Sequence, residues 1–504
     1  MIASLVALLL AAAPAGASRC VLIVGTSDLH GHLAPRLVGD GAASHEAGGL
    51  ARFGGILKGL RAGKEPVLLL DAGDLFQGTL ESNLQHGRAV IAAYDVLGYD
   101  AATLGNHEFD FGPEAPDDGP QGALKARLAE AKFPFLVANL IDDKTGALPA
   151  WPNLFPSKLF VLRGLKVGVI GIANPETPAV TIRRYVEGVT FLDPVEPVLR
   201  EAKALRAQGA QLVVLVAHLG GSCDLRNPEA KSCERPSQLL SLLEALPTGT
   251  VDVAVGGHTH RFMSHWINGV PALEAGAEGR YFSELEACAL PQGGLDRQRA
   301  HLITPREIVG EGSDLRVDRV VKPFLDAVST EVNRPLGPVL AAPLRRDYHA
   351  LSPLGSMAAE AIRRSGSADV AVINAGGLRA DLAAGPLTFG GLYEAFPFEN
   401  HLVVVSVSGQ ELTDFINALG GSGHGYPQSA GLTVRGQPGA FALFGVDGQP
   451  LSLSARFRLA TLDFLFHGGD GTQPVVGRLA TPQVLPLAGD PTLRDAIVAY
   501  LKSR

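Results

Sequence analysis

Six short apolar runs divide the first half of the chain, and five of them end in the same way. Val21–Val24, Val67–Leu70, Ala101–Leu104, Val167–Ile172, Leu212–Val216 and Val251–Val255 read as buried strands, each a continuous apolar run of strand length bounded by turn residues. Their alternation with helical segments is the pattern of an α/β architecture. Just past five of these runs stand Asp28-Leu29-His30, Asp71-Ala72-Gly73-Asp74, Gly105-Asn106-His107-Glu108, Ala217-His218 and Gly256-Gly257-His258-Thr259-His260. Open α/β sheets place their ligands beyond the carboxyl ends of their strands.

The groups gathered there, Asp28, His30, Asp74, Asn106, His218, His258 and His260 with His107 beside them, are oxygen or imidazole donors without a thiolate. Such a set suits borderline or hard divalent ions such as Zn, Mn, Fe or Co. Seven ligands exceed what one ion takes from protein; with one bridging carboxylate they make a two-metal site, the arrangement used for in-line displacement at phosphorus. A single strand-end His or Asp is more often a turn cap. Five such clusters after five strands are not explained that way.

D-x-H, G-D, G-N-H-E, a strand-end His and G-H-x-H, in this order, resemble the calcineurin-like metallophosphoesterase superfamily. Order and spacing are similar to its exported 5′-nucleotidase/UDP-sugar hydrolase/2′,3′-cyclic-nucleotide phosphodiesterase family, over nearly the whole chain. The resemblance implies a four-layer α/β/β/α metallophosphoesterase sandwich, a linker helix and a C-terminal α/β substrate domain of 5′-nucleotidase type. It implies that Asp28, His30 and His260 hold one metal, that Asn106, His218 and His258 hold the other, and that Asp74 bridges them. His107, partnered by Asp110, would act on the phosphate: an imidazole kept protonated by a carboxylate stabilises phosphoryl charge or protonates the leaving oxygen.

The segment from Gly312 to Pro335 reads as a linker helix, because Val317, Val320, Val321, Phe324, Leu325, Val328 and Val332 recur at three- to four-residue spacing. The expected organisation is a leader over 1–17, a catalytic domain over 18–311, the linker over 312–335 and a nucleotide-binding domain over 336–504. In the last, Asn374-Ala-Gly-Gly-Leu-Arg379 is a Gly-rich turn that delivers one Arg, and Pro397-Phe398-Glu-Asn400 and Phe464-Leu-Phe-His-Gly-Gly-Asp470 each set an aromatic beside a polar group. Taken singly, these read as a turn and as core aromatics. The resemblance implies Arg379 on phosphate, Phe398 and Phe464 stacking a base, and Asn400 and Asp470 as polar contacts. It also implies further phosphate-binding Arg upstream of a short S-P-L-G-N segment. Here Arg345 and Arg346 are the candidates, Arg346 lies about two residues too far away, Ser356 stands in place of the Asn, and Thr472 stands where an aromatic is expected.

Composition narrows the function and the compartment. With 43 Lys+Arg against 51 Asp+Glu and a net charge of −8, the chain offers no basic patch for a nucleic-acid duplex. Met1 to Ala17 carries no charged side chain, an apolar run from Leu5 to Ala13 too short to span a membrane, and the small-x-small Ala15-Gly16-Ala17; it reads as a cleaved secretory leader rather than a transmembrane anchor. The 4 cysteines allow three pairings in an oxidising compartment. Cys223 with Cys233, which flank the polar segment from Asp224 to Ser232, is the preferred local pair, and Cys20 with Cys288 follows. The expected protein is an exported, periplasmic or extracellular hydrolase of a nucleotide or nucleotide-sugar. Two other readings compete: a thiosulfohydrolase-like enzyme on the same scaffold, and a non-catalytic binding protein, which would have lost ligands or His107. The sequence does not give the oligomeric state.

Overall fold

The apolar runs become strands because both of their faces are covered. In a computed structural model of the chain, which describes residues 19–39, 44–227, 230–310, 312–478 and 489–504, Leu212–Ala217 is buried at every position and Cys20–Thr26 and Leu165–Ile172 at all but one. The expected leader over 1–17 lies outside the described residues. One seven-stranded sheet runs in the order Arg306–Glu307, Tyr281–Cys288, Cys20–Thr26, Val67–Asp71, Ala101–Ala102, Phe135–Leu136, Leu154–Phe155, and its last five strands are parallel. A six-stranded sheet runs Phe262–Ile267, Val270–Ala275, Val253–Val255, Leu212–Ala217, Leu165–Ile172, Ser157–Leu162.

Side chains alternate across each strand, and this alternation builds the layers. Val21, Ile23, Leu68 and Leu70 face Val167, Val169, Val214 and Val253 in a layer between the two sheets. Val24 and Leu69 point the other way, into helices Leu50–Arg61 and Arg88–Leu97. Val213 and Leu215 do the same towards helices Val195–Ala207 and Gln238–Ala245. The result is the expected α/β/β/α stack. The strands are slightly shorter than the apolar runs at two places. Ala101–Ala102 ends before Thr103, whose hydroxyl donates to the Leu136 carbonyl, and Val253–Val255 starts after Asp252, whose carboxylate accepts from the N–H groups of Val213 and Leu295.

Both disulfides of the expected pairing are present, Cys20–Cys288 and Cys223–Cys233. The register explains the first: Cys20 lies opposite Cys288 in the antiparallel pair at the start of the first strand. Cys223 and Cys233 likewise face each other as an antiparallel bridge.

The helix expected between Gly312 and Pro335 spans Leu315–Val332, capped by Asp314, whose carboxylate accepts from Arg316 N–H. Val317 and Val321 enter the first domain's core. At its other end Val332 packs on Gly390, and the Arg334 carbonyl accepts from Phe389 N–H at 2.9 Å, so the helix is seated on both halves. The second half has a four-stranded sheet, Leu402–Ser408, Arg456–Leu462, Val370–Ile373 and Gln428–Ala430. Helices Pro353–Ser365 and Leu493–Lys502 cover one face and Gly409–Gly421 the other. Among the described residues no helix is long and apolar enough to cross a membrane.

The layer between the sheets sets the spacing of the strand ends. Leu70→Ala, at a position with no exposure in that layer, is expected to cost about 2–5 kcal/mol, read as the shift of the unfolding transition in denaturant. A loss well under about 1 kcal/mol would show that the two sheets do not depend on this contact.

Candidate metal centre and substrate cavity

At the carboxyl edge of the two sheets, all seven expected ligands converge. The donor atoms of Asp28, His30 and His260 form one group and those of Asp74, His218 and His258 a second, each with its atoms within 4.8 Å of one another. His30 Nε2 lies 3.0 Å from His260 Nε2, and Asp28 Oδ1 lies 3.6 Å from the same atom. In the second group, His218 Nε2 is 3.1 Å from Asp74 Oδ2, 3.2 Å from His258 Nδ1 and 3.2 Å from Asn106 Oδ1. Asp74 Oδ2 also comes within 3.9 Å of His30 Nε2, so one carboxylate oxygen reaches both groups.

Orientation and charge fit this donor set to divalent cations. The Nδ1 of His30 sits 2.8 Å from the Gln77 carbonyl and that of His218 2.8 Å from the Ala72 carbonyl, which turns both Nε2 atoms inward as acceptors. Burial, then the neighbouring Arg379, holds His30 well below the usual imidazole range; burial and His30 do the same to His260, and burial and His218 bring His258 down to about 3. Neutral imidazoles are the ligating form. Burial alone would raise Asp74, but His218 and His107 outweigh it and hold it well below the carboxylate range. Burial alone would lower His218, but Asp74 pushes it up to about 10.

The backbone here is unusual. Asp28, His30, Asp74, His258 and His260 all have φ between 49° and 79°, a region that L side chains rarely adopt and that clusters at functional sites. Two buried carboxyls, neither of them singled out in the sequence, hold these turns. Glu108 accepts from the N–H groups of Asp74 at 2.9 Å, Leu75 at 2.6 Å and Gly105 at 2.6 Å, tying two strand-end loops together. At Gly105 a side chain would collide with the Asp74 carboxylate. Glu274, with no exposure, accepts from Gly221 N–H at 2.9 Å, Thr259 Oγ1 at 2.5 Å and Arg261 N–H at 3.3 Å, tying the loop after His218 to the turn that carries His258 and His260. The loop of Asp28 joins through His258 N–H, which donates to its carboxylate at 2.9 Å.

The second half closes over this floor. Together the halves enclose a cavity of about 1630 Å³ whose lining includes Asp74, His107, Asp110, Arg379, Phe398, Asn400, Phe464 and Asp470. His107 Nδ1 is 2.5 Å from Asp110 Oδ2, and Asp110 Oδ1 accepts from Thr181 Oγ1 at 2.6 Å. Burial works against the His107 imidazolium, but Asp110 and Asp74 outweigh it and raise its pKa. Arg379 Nη2 reaches to 3.1 Å from His30 Nε2, and its guanidinium carbon lies 6.0 Å over the Phe398 ring, itself 5.6 Å from the His107 ring. Asp470 is positioned by Asn374 Nδ2, which donates to it at 2.7 Å, and its own N–H donates to the Ala179 carbonyl of the first half at 2.9 Å.

Arg346 lines the cavity, with Nη1 donating to the Leu378 carbonyl at 3.0 Å. Arg345 lies outside that lining and pairs with Asp381 at 3.4 Å. Thr472, at the aromatic position of the resemblance, does not border the cavity: it has no exposure and its hydroxyl donates to the carbonyls of Leu465 and Gly469, closing the loop that carries Asp470.

Because Glu274 touches the turns and not the cavity, Glu274→Ala is expected to weaken divalent-metal binding about tenfold or more, measured by titration against a metal-buffering chelator. Metal affinity equal to that of the unaltered protein would contradict its role as a tether.

Comparison with known proteins agrees with this geometry. Residues 21–262 match the family model of the calcineurin-like phosphoesterases, and residues 330–478 match that of the 5′-nucleotidase C-terminal domain. A 5′-nucleotidase of Vibrio cholerae is 28% identical over 496 residues, covering 89% of this chain and 85% of its own. The crystal structure of a 5′-nucleotidase precursor from Thermus thermophilus superposes with a TM-score of 0.80 at 25% identity, over 96% of each chain. The sulfate thiohydrolase SoxB of Thermus thermophilus shares the fold, with a TM-score of 0.77 at 18% identity over 96% of this chain and 94% of its own. The chain belongs to the calcineurin-like phosphoesterases that carry a 5′-nucleotidase C-terminal domain.

Proposed function

We propose that this chain is an exported two-metal phosphohydrolase that removes phosphate from nucleotides. The observation that carries this reading is the placement of Asp74 Oδ2 within reach of both donor groups, 3.1 Å from His218 and 3.9 Å from His30, on the floor of a cavity that Arg379 and Phe398 also line. Asp28, His30 and His260 would hold one ion, Asn106, His218 and His258 the other, with Asp74 between them. Divalent ions so held supply Lewis-acid charge next to a phosphoryl group and acidify an attacking water.

The chain's own residues do the rest. Arg379 brings a planar fork of donors to the phosphate oxygens. His107, kept cationic by Asp110, lies beside the same oxygens to stabilise developing charge and to give a proton to the leaving oxygen. Thr181 holds the second Asp110 oxygen, so the carboxylate keeps the other on His107. Phe398 and Phe464 offer faces for a base, and Asn400 and Asp470 offer polar partners for base or ribose. Arg346 is the candidate for additional phosphate charge.

In this reading 18–311 is the catalytic part, 312–335 the linker and 336–504 the part that selects substrate. Nucleoside monophosphates, UDP-sugars and 2′,3′-cyclic nucleotides are the substrate classes to compare. Export rests on the apolar Leu5 to Ala13 run and on the two disulfides, which persist in oxidising compartments.

Phosphate release by the purified protein from AMP, UDP-glucose with added phosphatase, 2′,3′-cyclic AMP and an aryl phosphate tests the reading. Turnover is expected on a nucleotide, lost on chelation and restored by Mn or Zn; silence on all four substrates with metal present would sink it. Phe398→Ala combined with Phe464→Ala is expected to raise the KM for AMP about tenfold or more while sparing the aryl phosphate. An equal loss on both substrates would make these rings part of the core.

A further inference from the structure

The segment that carries Phe398 and Asn400 has no regular structure of its own. Helix Phe389–Ala395 ends before it, strand Leu402–Ser408 begins after it, and Phe396 to Asn400 run between them as irregular chain. Pro397 fixes one backbone angle and removes one N–H donor. A ring on such a segment keeps its direction only where the backbone behind it is held.

Arg494, on helix Leu493–Lys502, holds it. Its Nη1 donates to the Phe396 carbonyl at 2.7 Å and to the Phe398 carbonyl at 2.9 Å, and its Nη2 pairs with Glu399. The guanidinium carbon lies 4.7 Å over the ring of Tyr393, on the helix that leads into the segment. One planar group thus grips the chain on both sides of Pro397 and rests on the element before it. Beside it, Leu493 N–H donates to the Asn400 carbonyl at 3.0 Å. The start of the helix is itself fixed: Thr492 Oγ1 accepts from Asp495 N–H, and the Asp495 carboxylate accepts from Thr492 N–H. Arg494 is 8% exposed and does not line the cavity.

Of these contacts, the two carbonyls matter most. Glu399 has a side chain 68% exposed, and a pair with so exposed a partner adds little. Phe396 is buried, where a carbonyl left without a donor is costly. The other substrate group is held elsewhere: Arg379 N–H donates to the Ala395 carbonyl at 2.9 Å, on the helix that Leu392, Ala395 and Phe396 seat in the core. Resting on the reading above that Phe398 stacks the base, we infer that Arg494 is a positioning residue for nucleotide hydrolysis. It acts from behind the cavity, through Phe398 and Asn400, and keeps them set for the nucleoside before substrate arrives.

The test compares AMP with an aryl phosphate as substrates of the metal-loaded protein and of Arg494→Gln and Arg494→Lys. The KM for AMP is expected to rise about tenfold in Arg494→Gln with kcat within about twofold, and both constants for the aryl phosphate to stay within about twofold. Arg494→Lys, which keeps the cation, is expected to show the same rise, because an ammonium cannot reach both carbonyls and lie on the Tyr393 ring; it carries the comparison alone should Arg494→Gln not fold. Added to Phe398→Ala, either substitution is expected to change the KM for AMP by less than about twofold, since no ring is left to position. Equal losses on the two substrates, an unchanged KM for AMP, or a full further rise in the Phe398→Ala background would each overturn the inference and leave the phosphohydrolase reading standing. An unaltered protein that cleaves the aryl phosphate and no nucleotide would overturn the base site and this inference together.

Discussion

The carboxylates of Glu108 and Glu274 set the geometry on which the candidate centre depends. Strands from two different sheets can bring their ends to one edge, but packing of the sheets fixes only the strands and not the turns beyond them. Glu108 takes N–H groups from the loop of Asp74 and from Gly105, and Glu274 takes donors from the loop after His218 and from the turn of His258 and His260. Each is a single group that accepts from two loops, so the distance between the loops is set by the span of one carboxyl. Burial pushes both carboxyls up to about 8, and the several donors that each accepts from meet lone pairs that a dry interior would otherwise leave unpaired. The loop of Asp28 is then tied directly, through the bond from His258 N–H.

With the floor fixed in this way, the roof is the part left to choose substrate. Contacts between the halves include polar ones: Asn83 Nδ2 donates to the Tyr393 hydroxyl at 2.9 Å, Asp470 N–H to the Ala179 carbonyl at 2.9 Å, and Arg261 meets His349 at 3.4 Å. The linker helix, by contrast, buries Val317 and Val321 in the first half's core. The candidate substrate groups Phe398, Asn400 and Asp470 therefore sit on a different body from the candidate metal ligands, and line the same cavity as Asp74 and His107.

Much of this is legible in the sequence, and the reason is physical. An Asp or His directly after an apolar run needs no tertiary knowledge to be placed at a strand end, which is why Asp28, Asp74, His218 and His258 group together on the amino-acid pattern alone. Glu274 is not legible, since it lies inside Val270–Ala275 as one polar residue in a strand and gives no motif of its own. Glu108 lies inside a recognised motif, but its neighbours His107 and Asn106 draw the chemistry. Arg346 and Arg345 are adjacent in sequence, and only the turn of the chain sends one into the cavity and the other to Asp381. Thr472 misleads for a related reason: a residue that replaces an aromatic need not occupy the aromatic's space, and here its hydroxyl closes a loop instead. The cavity itself arises from the meeting of segments far apart in sequence, which no local pattern records.

Five non-glycine residues in the left-handed region carry a conformational cost of roughly 1–3 kcal/mol each, concentrated in loops that must not relax. Relaxation is opposed at both ends of the strands that bear them. At the edge that bears the site the tethers act; at the start of the first strand Cys20 is joined to Cys288 across 268 residues of chain. Closing so long a loop removes conformational freedom from the unfolded chain, and it pins the strand that leads to Asp28 and His30 to its neighbour in register. Cys223–Cys233 does the same locally for the segment between His218 and the helix Gln238–Ala245. The strain in the turns that bear the candidate ligands thus persists, because cross-links and the apolar layer between the sheets keep the strands beneath them from moving to release it.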